Sequence, residues 1–357
     1  MTPSEARELK HHLQSAAKIL KANTPQDQLQ DFESIELAAR QHIIETVGPA
    51  MGEIFFQQEN RKPSGKKRQV KTCIGRVRVQ RTEARKLGLK PRQQLSPVME
   101  KCSLVACAKS SYEEAAEDIK LMTGMALGHS SLHRLVQRSE IPSPESEKPA
   151  DGLSVDGGKV RLRTPEPGAC EWRDYKAVSL HDSVCNAYFQ ENEALIEWVQ
   201  QQRLAEVVTC VGDGHDGVWN IMAHLAPEYQ RREVLDWYHL VENLHKVEGS
   251  KESLERMKSL LWSGYVDEVL EELKQLSSYA SVKFRRYLRK HRQRIVPYDV
   301  YQRMGIAIGS GAVESVVKRI GARIKLSGAQ WSRENVGKML RLRCAYLNRA
   351  FCVSIST

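Results

Sequence analysis

The sequence lacks a long hydrophobic run, an apolar leader and a paired cysteine motif. Nowhere in its 357 residues do about 18 apolar residues follow one another, the length that a membrane helix needs. The charged start MTPSEARELKHH is not followed by an apolar run, so we expect neither secretion nor membrane insertion. The eight cysteines are scattered without a CxxC pair, which argues against a zinc knuckle or redox motif and fits a reduced cytoplasm.

The composition is that of a folded chain with more than one domain. Hydrophobic residues make up 41% and charged residues 27% of the sequence, ordinary values for a protein with a packed core. At roughly 150 residues per domain, the length predicts two or three units.

Positive charge is concentrated in one stretch where acids are nearly absent. The formal net charge is +10, and between Arg61 and Arg92 there are thirteen lysines and arginines against a single acid, Glu83. Because lysine and arginine release condensed counterions when they neutralise phosphates, this stretch indicates a polyanionic partner such as nucleic acid.

Residues 1–95 are predicted to form a mainly helical DNA-binding region with a basic hairpin. Apolar positions three and four apart between residues 4 and 58 indicate helices, which pack on each other or on a second subunit. The segment NRKPSGKKR, at residues 60–68, is rich in glycine, proline and basic residues and is predicted to interrupt regular structure; it is called the breaker below. After it, apolar residues flank Gly75 as in two short strands. The candidate DNA contacts of this hairpin are Arg76, Arg78 and Arg81.

Residues 96–140 are predicted to contain a pair of helices like a helix-turn-helix motif. The run from Ser111 to Arg138 has the pattern of a helix, a short glycine-containing connection and a second helix that Ser130 would cap. The side chains of the second helix that would face a DNA groove are His133, Arg134 and Arg138. The alternative is a helical pair that simply packs within the N-terminal region.

A proline-containing linker at residues 141–151 separates these helices from a second domain. Residues 152–240 contain three consecutive strand-like runs and then helix, strand, helix and strand, and residues 306–351 complete the domain. This order predicts an α/β fold with a ribonuclease-H-like mixed sheet. Residues 241–305 have a helical pattern throughout and predict a helical insertion.

Three acids of this second domain stand at strand ends or helix starts. Asp213 directly follows the buried strand EVVTCVG, and ligands bind at the carboxyl ends of such strands. Asp156 follows the apolar run LSV and precedes two glycines, a sequence that alternatively indicates a tight hairpin turn. Glu314 lies in the first turn of a helix, where the helix dipole alone explains an acid. Asp216 and Ser310 are the expected N-caps of the helices that follow Asp213 and that contain Glu314.

Three converging carboxylates suit divalent metal ions. Magnesium is a hard cation that is held by a few carboxylates, and phosphodiester chemistry commonly uses two such ions roughly 3.5–4 Å apart. We therefore predict that Asp156, Asp213 and Glu314 are the catalytic residues and hold two Mg²⁺ or Mn²⁺ ions.

The order of these acids, with a helical block before the last one, resembles that of the aspartate–aspartate–glutamate (DDE) transposases. More narrowly, VDGGKV, VGDGHDGVWN, LDWYHL, GSGAVES and KLSGAQW are similar to the catalytic core of Kra-type insertion-sequence transposases, which are akin to the Mutator superfamily. The resemblance covers residues 153–351 and extends upstream into SYEEAAEDIKLMTG. It implies a ribonuclease-H-like fold in which Asp156, Asp213 and Glu314 take the catalytic positions.

The resemblance also implies roles for other residues. Asp236 and His239 match the family's D-x-x-H element beside the active site, although a buried polar pair at a strand end explains them equally well. Relatives carry a cysteine-rich, zinc-binding stretch after the basic hairpin, whereas VQRTEARKLGLKPRQQL has no cysteine, which argues against zinc-dependent recognition of DNA ends. Cys102 and Cys107 are interpreted as structural.

The helix that begins near Glu314 is basic and is predicted to lie along DNA. Its candidate DNA contacts are Lys318, Arg319, Arg323 and Lys325. Trp262, in the helical insertion, is predicted to be a core residue, the alternative being that it stacks on an extruded base.

Together these inferences predict the transposase of a bacterial insertion sequence, located in the cytoplasm at the nucleoid. It would bind the terminal inverted repeats of its element, cut there with metal-activated water, and join the freed 3′ hydroxyl to target DNA. A homo-oligomer is expected because two ends must be paired. The rivals are a non-catalytic DNA-binding regulator derived from a transposase, and a carboxylate enzyme such as a glycosidase, which needs no basic surface.

Overall fold

The computed structural model describes residues 1–56, 64–164, 170–181 and 183–351. One compact unit is Met1–Leu135, and the other begins at Val136. The start of the predicted breaker, residues 60–63, and Cys352 lie outside the described residues. Within the described ranges, no helix combines the length and the apolar character that crossing a bilayer requires.

The first unit begins with helices, as the apolar spacing predicted. They are α1 (Pro3–Ala22), α2 (Phe32–His42) and α3 (Gly48–Phe55). Thr2 and Asp31 cap the first two helices through reciprocal bonds with the third residue of each helix, which satisfies backbone N–H groups that the helix itself leaves unpaired. A π-helical turn, Ile43–Val47, joins α2 to α3.

A two-stranded hairpin follows and confirms the predicted strands. β1 (Lys67–Thr72) and β2 (Gly75–Gln80) are antiparallel, with Thr72 opposite Gly75. Gly75 has a φ of +121°, a conformation that favours glycine at this turn. Val70, Val77 and Val79 are buried on one face, together with Ala84 of the short helix α4 (Arg81–Lys86).

Three further helices precede the second unit: α5 (Pro97–Lys109), α6 (Tyr112–Thr123) and α7 (His129–Arg138). The predicted helical pair is α6 and α7, and the boundary between the two units falls within α7. The prediction that Ser130 caps the second helix is wrong, because α7 already begins at His129 and Ser130 lies in its first turn. Cys107 is fully buried in α5, as expected for a structural cysteine.

The second unit contains a mixed five-stranded sheet, in agreement with the predicted α/β class. Its strands are β3 (Ala150–Leu162), β4 (Glu171–Leu180), β5 (Cys185–Tyr188), β6 (Leu204–Gly212) and β7 (Arg231–Leu235). Their order in the sheet is β5-β4-β3-β6-β7. The β3–β4 and β4–β5 pairs are antiparallel, whereas β3–β6 and β6–β7 are parallel. The last two residues of the predicted linker, Ala150 and Asp151, already belong to β3.

Nine helices of this unit are described. They are α8 (Asn192–Gln200), α9 (Asp216–Leu225), α10 (Trp237–Leu244), α11 (Lys251–Trp262), α12 (Val266–Lys274), α13 (Tyr279–His291), α14 (Tyr298–Arg303), α15 (Gly311–Ile324) and α16 (Arg333–Leu347). Helices after β7 share one hydrophobic core with the sheet: Leu261 and Leu273 lie in the same cluster as Val211 and Leu235. Burial of this continuous apolar surface is the main force that holds the helices on the sheet.

The Asp-Gly-Gly sequence does not form the hairpin turn that was considered for it. β3 runs straight through it, and Gly158 lies opposite Tyr175 of β4. A Cβ atom at Gly158 would lie 2.2 Å from the Tyr175 ring, so the glycine makes room for that ring to cross the strand. Gly158 therefore serves packing between the strands.

Two other segments refine the predictions. The run REVLDWYHL is a strand only as far as Leu235, after which α10 begins at Trp237. Trp262 packs against Trp237 and Tyr298, with ring centroids 4.7 and 6.1 Å away, so it belongs to the core as predicted and is not placed to stack on a base.

Candidate active site

Three aspartates lie at the edge of the sheet where the parallel strands end. Ser154 pairs with Val211 in parallel register, so Asp156, two residues further along β3, is level with Asp213, the first residue after β6. Gly212 pairs with Leu235, so Asp213 is in turn level with Asp236, the first residue after β7. Carboxyl ends of adjacent parallel strands are the usual place for a ligand in an open sheet.

Glu314 reaches the same place from the helix side. Its helix, α15, packs against β3 and β4, and the Tyr175 hydroxyl donates a hydrogen bond to the Val317 carbonyl at 3.4 Å. Burial raises the pKa of the Asp156 carboxyl, and the negative charges of Asp213 and Glu314 raise it further. A hydrogen bond from the Gly157 N–H, at 2.6 Å, opposes the rise. Asp156 is therefore near enough to both Asp213 and Glu314 to be affected by their charges.

The loop after β6 fixes the conformation of Asp213. Its Oδ1 accepts a hydrogen bond from the His215 N–H at 2.9 Å, and its carbonyl accepts one from the Tyr287 hydroxyl at 3.3 Å. Gly214 between them has a φ of +91°. The prediction that Asp216 caps the next helix is wrong: His215 is the N-cap of α9 and accepts from Gly217, while Asp216 forms an ion pair with Lys290.

A second polar cluster adjoins Glu314 and is built around Asp236. Asp236 is fully buried and is the N-cap of α10, where its Oδ1 accepts from the His239 N–H at 2.8 Å. Its Oδ2 accepts from the backbone N–H of Ser310 and, at 2.6 Å, from the Ser310 hydroxyl. The same hydroxyl lies 3.2 Å from Glu314 Oε1. Ser310 occupies the N-cap position of α15, as predicted, but its side chain bonds to Asp236 rather than to the helix.

His239 carries positive charge into this cluster. Its Nδ1 lies 3.2 Å from Asp236 Oδ1 and 3.9 Å from Glu314 Oε1. Contact with the Asp236 carboxylate raises the pKa of His239 to about 9, against the opposing effect of burial. Burial by itself would raise the pKa of Asp236, but the bonds from His239 and Ser310 outweigh it and lower that pKa. The pair is therefore ionised at neutral pH.

Among the described residues, one group of side chains has ligand atoms close enough together to hold a divalent ion. Ligand atoms of Asp236, His239 and Glu314 all lie within 4.8 Å of one another. However, both carboxylate oxygens of Asp236 already accept hydrogen bonds, which leaves this residue poorly suited to bind a metal ion. Asp156, Asp213 and Glu314 are partly accessible carboxylates, and a cation beside Asp156 would offset the charges of Asp213 and Glu314 that raise its pKa; carboxylate oxygens are the donors that Mg²⁺ prefers.

Sequence reasoning missed two contributors to this site. Ser310 was interpreted only as a helix cap, although the Gly-Ser-Gly sequence just before Glu314 was a signal of close backbone approach. Lys176 was not singled out; it lies opposite Gly157 on β4, and its charge lowers the pKa of Asp156. No sequence feature marked Lys176, because strand register decides what lies beside Asp156.

Most of the predicted DNA contacts are at the surface. The exposed ones are Arg76, Arg78, Arg81, Arg134, Arg138, Lys318, Arg319 and Lys325. His133 is half-buried, with its ring centroid 5.3 Å from that of Tyr112. The prediction for Arg323 is wrong: its exposed fraction is 2%, and its guanidinium lies over the Trp331 ring. It shares the buried face of α15 with Ile320.

Comparison with known proteins gives distant likenesses in both sequence and structure. No family model matches the chain. It is similar to the "UPF0236 protein in vanSb 3′ region" of Streptococcus gallolyticus, with 24% identity over 345 residues that cover 80% of this chain and 73% of the relative. Among solved structures it is similar to the Drosophila P element transposase strand transfer complex, with a TM-score of 0.30 and 12% identity over 76% of this chain and 82% of that chain. The relative's name states no activity, and the structural likeness is too weak to support an argument, so function must be inferred from the site.

Proposed function

We propose that the chain is the transposase of a bacterial insertion sequence, a metal-dependent enzyme that cleaves DNA strands and joins them to a target. The proposal is supported chiefly by the register that sets Asp156, in the middle of β3, level with Asp213 at the end of β6, and by the charges of Asp213 and Glu314 that act on Asp156. The sheet order supports the finer assignment of a ribonuclease-H-like fold, because β3, β4 and β5 form an antiparallel set and β6 and β7 are added in parallel beside β3.

In this mechanism Asp156, Asp213 and Glu314 would hold two Mg²⁺ or Mn²⁺ ions, which supply activation of the attacking oxygen and stabilisation of the leaving oxygen. The surrounding residues hold the carboxylates in place. Ser310 contacts both Asp236 and Glu314, and His239 contributes a positive charge 3.9 Å from Glu314 Oε1. That charge would favour an approaching phosphate over a neutral substrate.

The exposed basic residues support DNA as the substrate. Arg76 and Arg78 project from the outer face of β2, opposite the buried valines, and Arg81 follows at the start of α4. We propose that these residues, with those of α7 and α15, contact the phosphate backbone of the terminal inverted repeats and of the target DNA. A homo-oligomer would pair the two element ends.

The test is cleavage of a duplex that carries the inverted repeat bracketing the coding sequence, with Mg²⁺ or Mn²⁺. We expect Asp156→Asn, Asp213→Asn and Glu314→Gln each to lower the cleavage rate by at least about a hundredfold, because each removes a charge that balances the metal ions. All three should still bind the duplex in Ca²⁺.

Asp216→Asn is the matched control, since it makes the same change three residues from Asp213 at an exposed position. It should cleave like the wild type. Full activity of any of the three acid variants would refute the assignment. Binding of the duplex by the wild type without cleavage would instead favour the regulator, and absence of DNA binding would favour a carboxylate enzyme with another substrate.

A further inference from the structure

An aromatic ring is exposed at the edge of the acid cluster without a structural role that explains it. Tyr238 is the second residue of α10, between the buried Trp237 and the charged His239. Its exposed fraction is 61%, whereas Trp237, Leu240 and Leu244 on the other side of the helix are buried. The Tyr238 hydroxyl makes no hydrogen bond to any of the described residues. The core therefore does not require this aromatic side chain.

The ring is nevertheless held at a defined place. One edge lies against Gly309, where a Cβ atom would be 2.6 Å from Tyr238 Cε2 and 2.8 Å from Cδ2. That same Cβ position is 3.7 Å from Asp236 Oδ2, and the next residue, Ser310, bonds to Asp236 and contacts Glu314. The absence of a side chain at Gly309 thus allows the ring to rest beside the carboxylates while most of it stays open.

The surroundings of the ring favour a nucleobase over an apolar protein partner. His239 is the next residue, and its Nδ1 lies 3.2 Å from Asp236 Oδ1. Lys318 lies one turn after Glu314 on α15 with its side chain largely exposed, and its Nζ is 3.9 Å from Glu314 Oε2. An aromatic face next to cations is the combination that single-stranded nucleic acid recognises, because the phosphates meet the charges and the bases stack on rings.

We infer that Tyr238 is a base-stacking residue of the active site, which holds the nucleotide next to the scissile phosphate in an unstacked position. The inference rests on the proposed function, since it assigns a contact to the same DNA substrate. Stacking on an aromatic side chain does not depend on base identity, because every base has a π-face. Tyr238 would therefore position the strand without adding sequence preference.

The experiment uses 2-aminopurine, a fluorescent base analogue, at successive positions around the end of the inverted repeat. The Asp156→Asn background keeps the duplex intact, and binding is measured in Ca²⁺. At one position we expect the complex with the parent protein to fluoresce less than the complex with Tyr238→Ala, because the Tyr238 ring quenches the unstacked base. Tyr238→Ala should abolish the quenching and weaken binding by roughly tenfold. Tyr238→Phe should retain both, because the hydroxyl is not used.

Tyr229→Ala is the matched control, since Tyr229 is a tyrosine of the same unit with an exposed fraction of 88%. It should behave like the parent protein. The slope of log Kd against log salt should be unchanged in Tyr238→Ala, because stacking neutralises no phosphate.

The inference is overturned if Tyr238→Ala has the same quenching and the same affinity for the duplex as Tyr229→Ala. It is also overturned if Tyr238→Phe loses quenching and affinity as Tyr238→Ala does. A smaller salt slope in Tyr238→Ala would also overturn it. These outcomes differ from failure of the proposed function, which would appear as a wild-type protein that neither binds nor cleaves the duplex.

Discussion

Asp236 is a charged side chain from which solvent is excluded, and such burial is costly unless hydrogen bonds compensate for it. Here three hydrogen bonds from His239 and Ser310 reach the two carboxylate oxygens, and His239 Nδ1 lies 3.2 Å from Oδ1. Asp236 thereby joins the end of β7, the start of α10 and the start of α15. We propose that Asp236 positions Ser310 and His239, which contact Glu314, and does not itself bind an ion.

This role predicts that Asp236→Asn is destabilising. The substitution keeps the size of the side chain but replaces one acceptor by a donor, which leaves a buried N–H of Ser310 or His239 without a partner. We expect the free energy of unfolding to fall by about 2 kcal/mol. All six tryptophans lie in the second unit, so their fluorescence during urea denaturation reports the unfolding of that unit.

Asp267→Asn is the control for Asp236→Asn, because Asp267 makes an exposed ion pair with Arg292. It should change the free energy of unfolding by no more than about 0.5 kcal/mol. If Asp236→Asn were as stable as the wild type but bound Mn²⁺ more weakly, Asp236 would be a metal ligand and the assignment above would be wrong.

At the scale of elements, the apolar patterns predicted where strands end but not how neighbouring elements pack. The continuous run before Asp213 could only be a buried strand, so its end was found correctly. Asp-Gly-Gly looked like a turn because local sequence does not reveal that Tyr175 needs the space above Gly158. Arg323 counted as a surface charge, although its spacing from Val313, Val316 and Ile320 places it on the buried side of α15.

The packing of Tyr175 predicts a large effect of Gly158→Ala. The new methyl group would lie 2.2–2.5 Å from three atoms of the Tyr175 ring, which is fully buried and connects β4 to α15. We expect a loss of about 2 kcal/mol in the free energy of unfolding, as for other overpacked cores. Cleavage should fall as well, because Glu314 is on the helix that the ring supports.

Gly157→Ala makes the same change one residue earlier and is the control. The atom closest to the new methyl group would be Nζ of Lys176, at 3.1 Å, and this flexible side chain can move away. It should therefore cost less than half as much as Gly158→Ala in urea denaturation. Equal losses for both variants would mean that backbone preference in β3, and not the Tyr175 contact, explains the glycines.

At the scale of the whole molecule, charge is divided between the two units. The basic hairpin belongs to the first unit, and the carboxylate cluster belongs to the second. Composition indicated this division, because the lysine- and arginine-rich stretch lies far from the acids in sequence. Oligomeric state could not be derived in the same way, since surface charge does not specify a self-complementary interface.

The division predicts that DNA affinity and the stability of the second unit can be changed separately. The double variant Arg76→Ala/Arg78→Ala removes two exposed cations from β2 while leaving the buried valines of the hairpin in place. If each arginine neutralises one phosphate, the slope of log K against log salt should fall by about 1.8 in magnitude, and binding should weaken across unrelated sequences. The free energy of unfolding from urea denaturation, measured by tryptophan fluorescence, should be unchanged. Every tryptophan is in the second unit, so the signal reports a unit that the substitutions do not alter.

The control for the hairpin is Arg7→Ala/Lys10→Ala, which removes the same charge from exposed positions of α1. Both double variants lower the net charge equally, so a general electrostatic attraction would reduce the salt slope in both. A specific contact between the hairpin and DNA would reduce it in Arg76→Ala/Arg78→Ala alone. The comparison therefore separates the location of the charge from its total, which the net charge of +10 by itself cannot do.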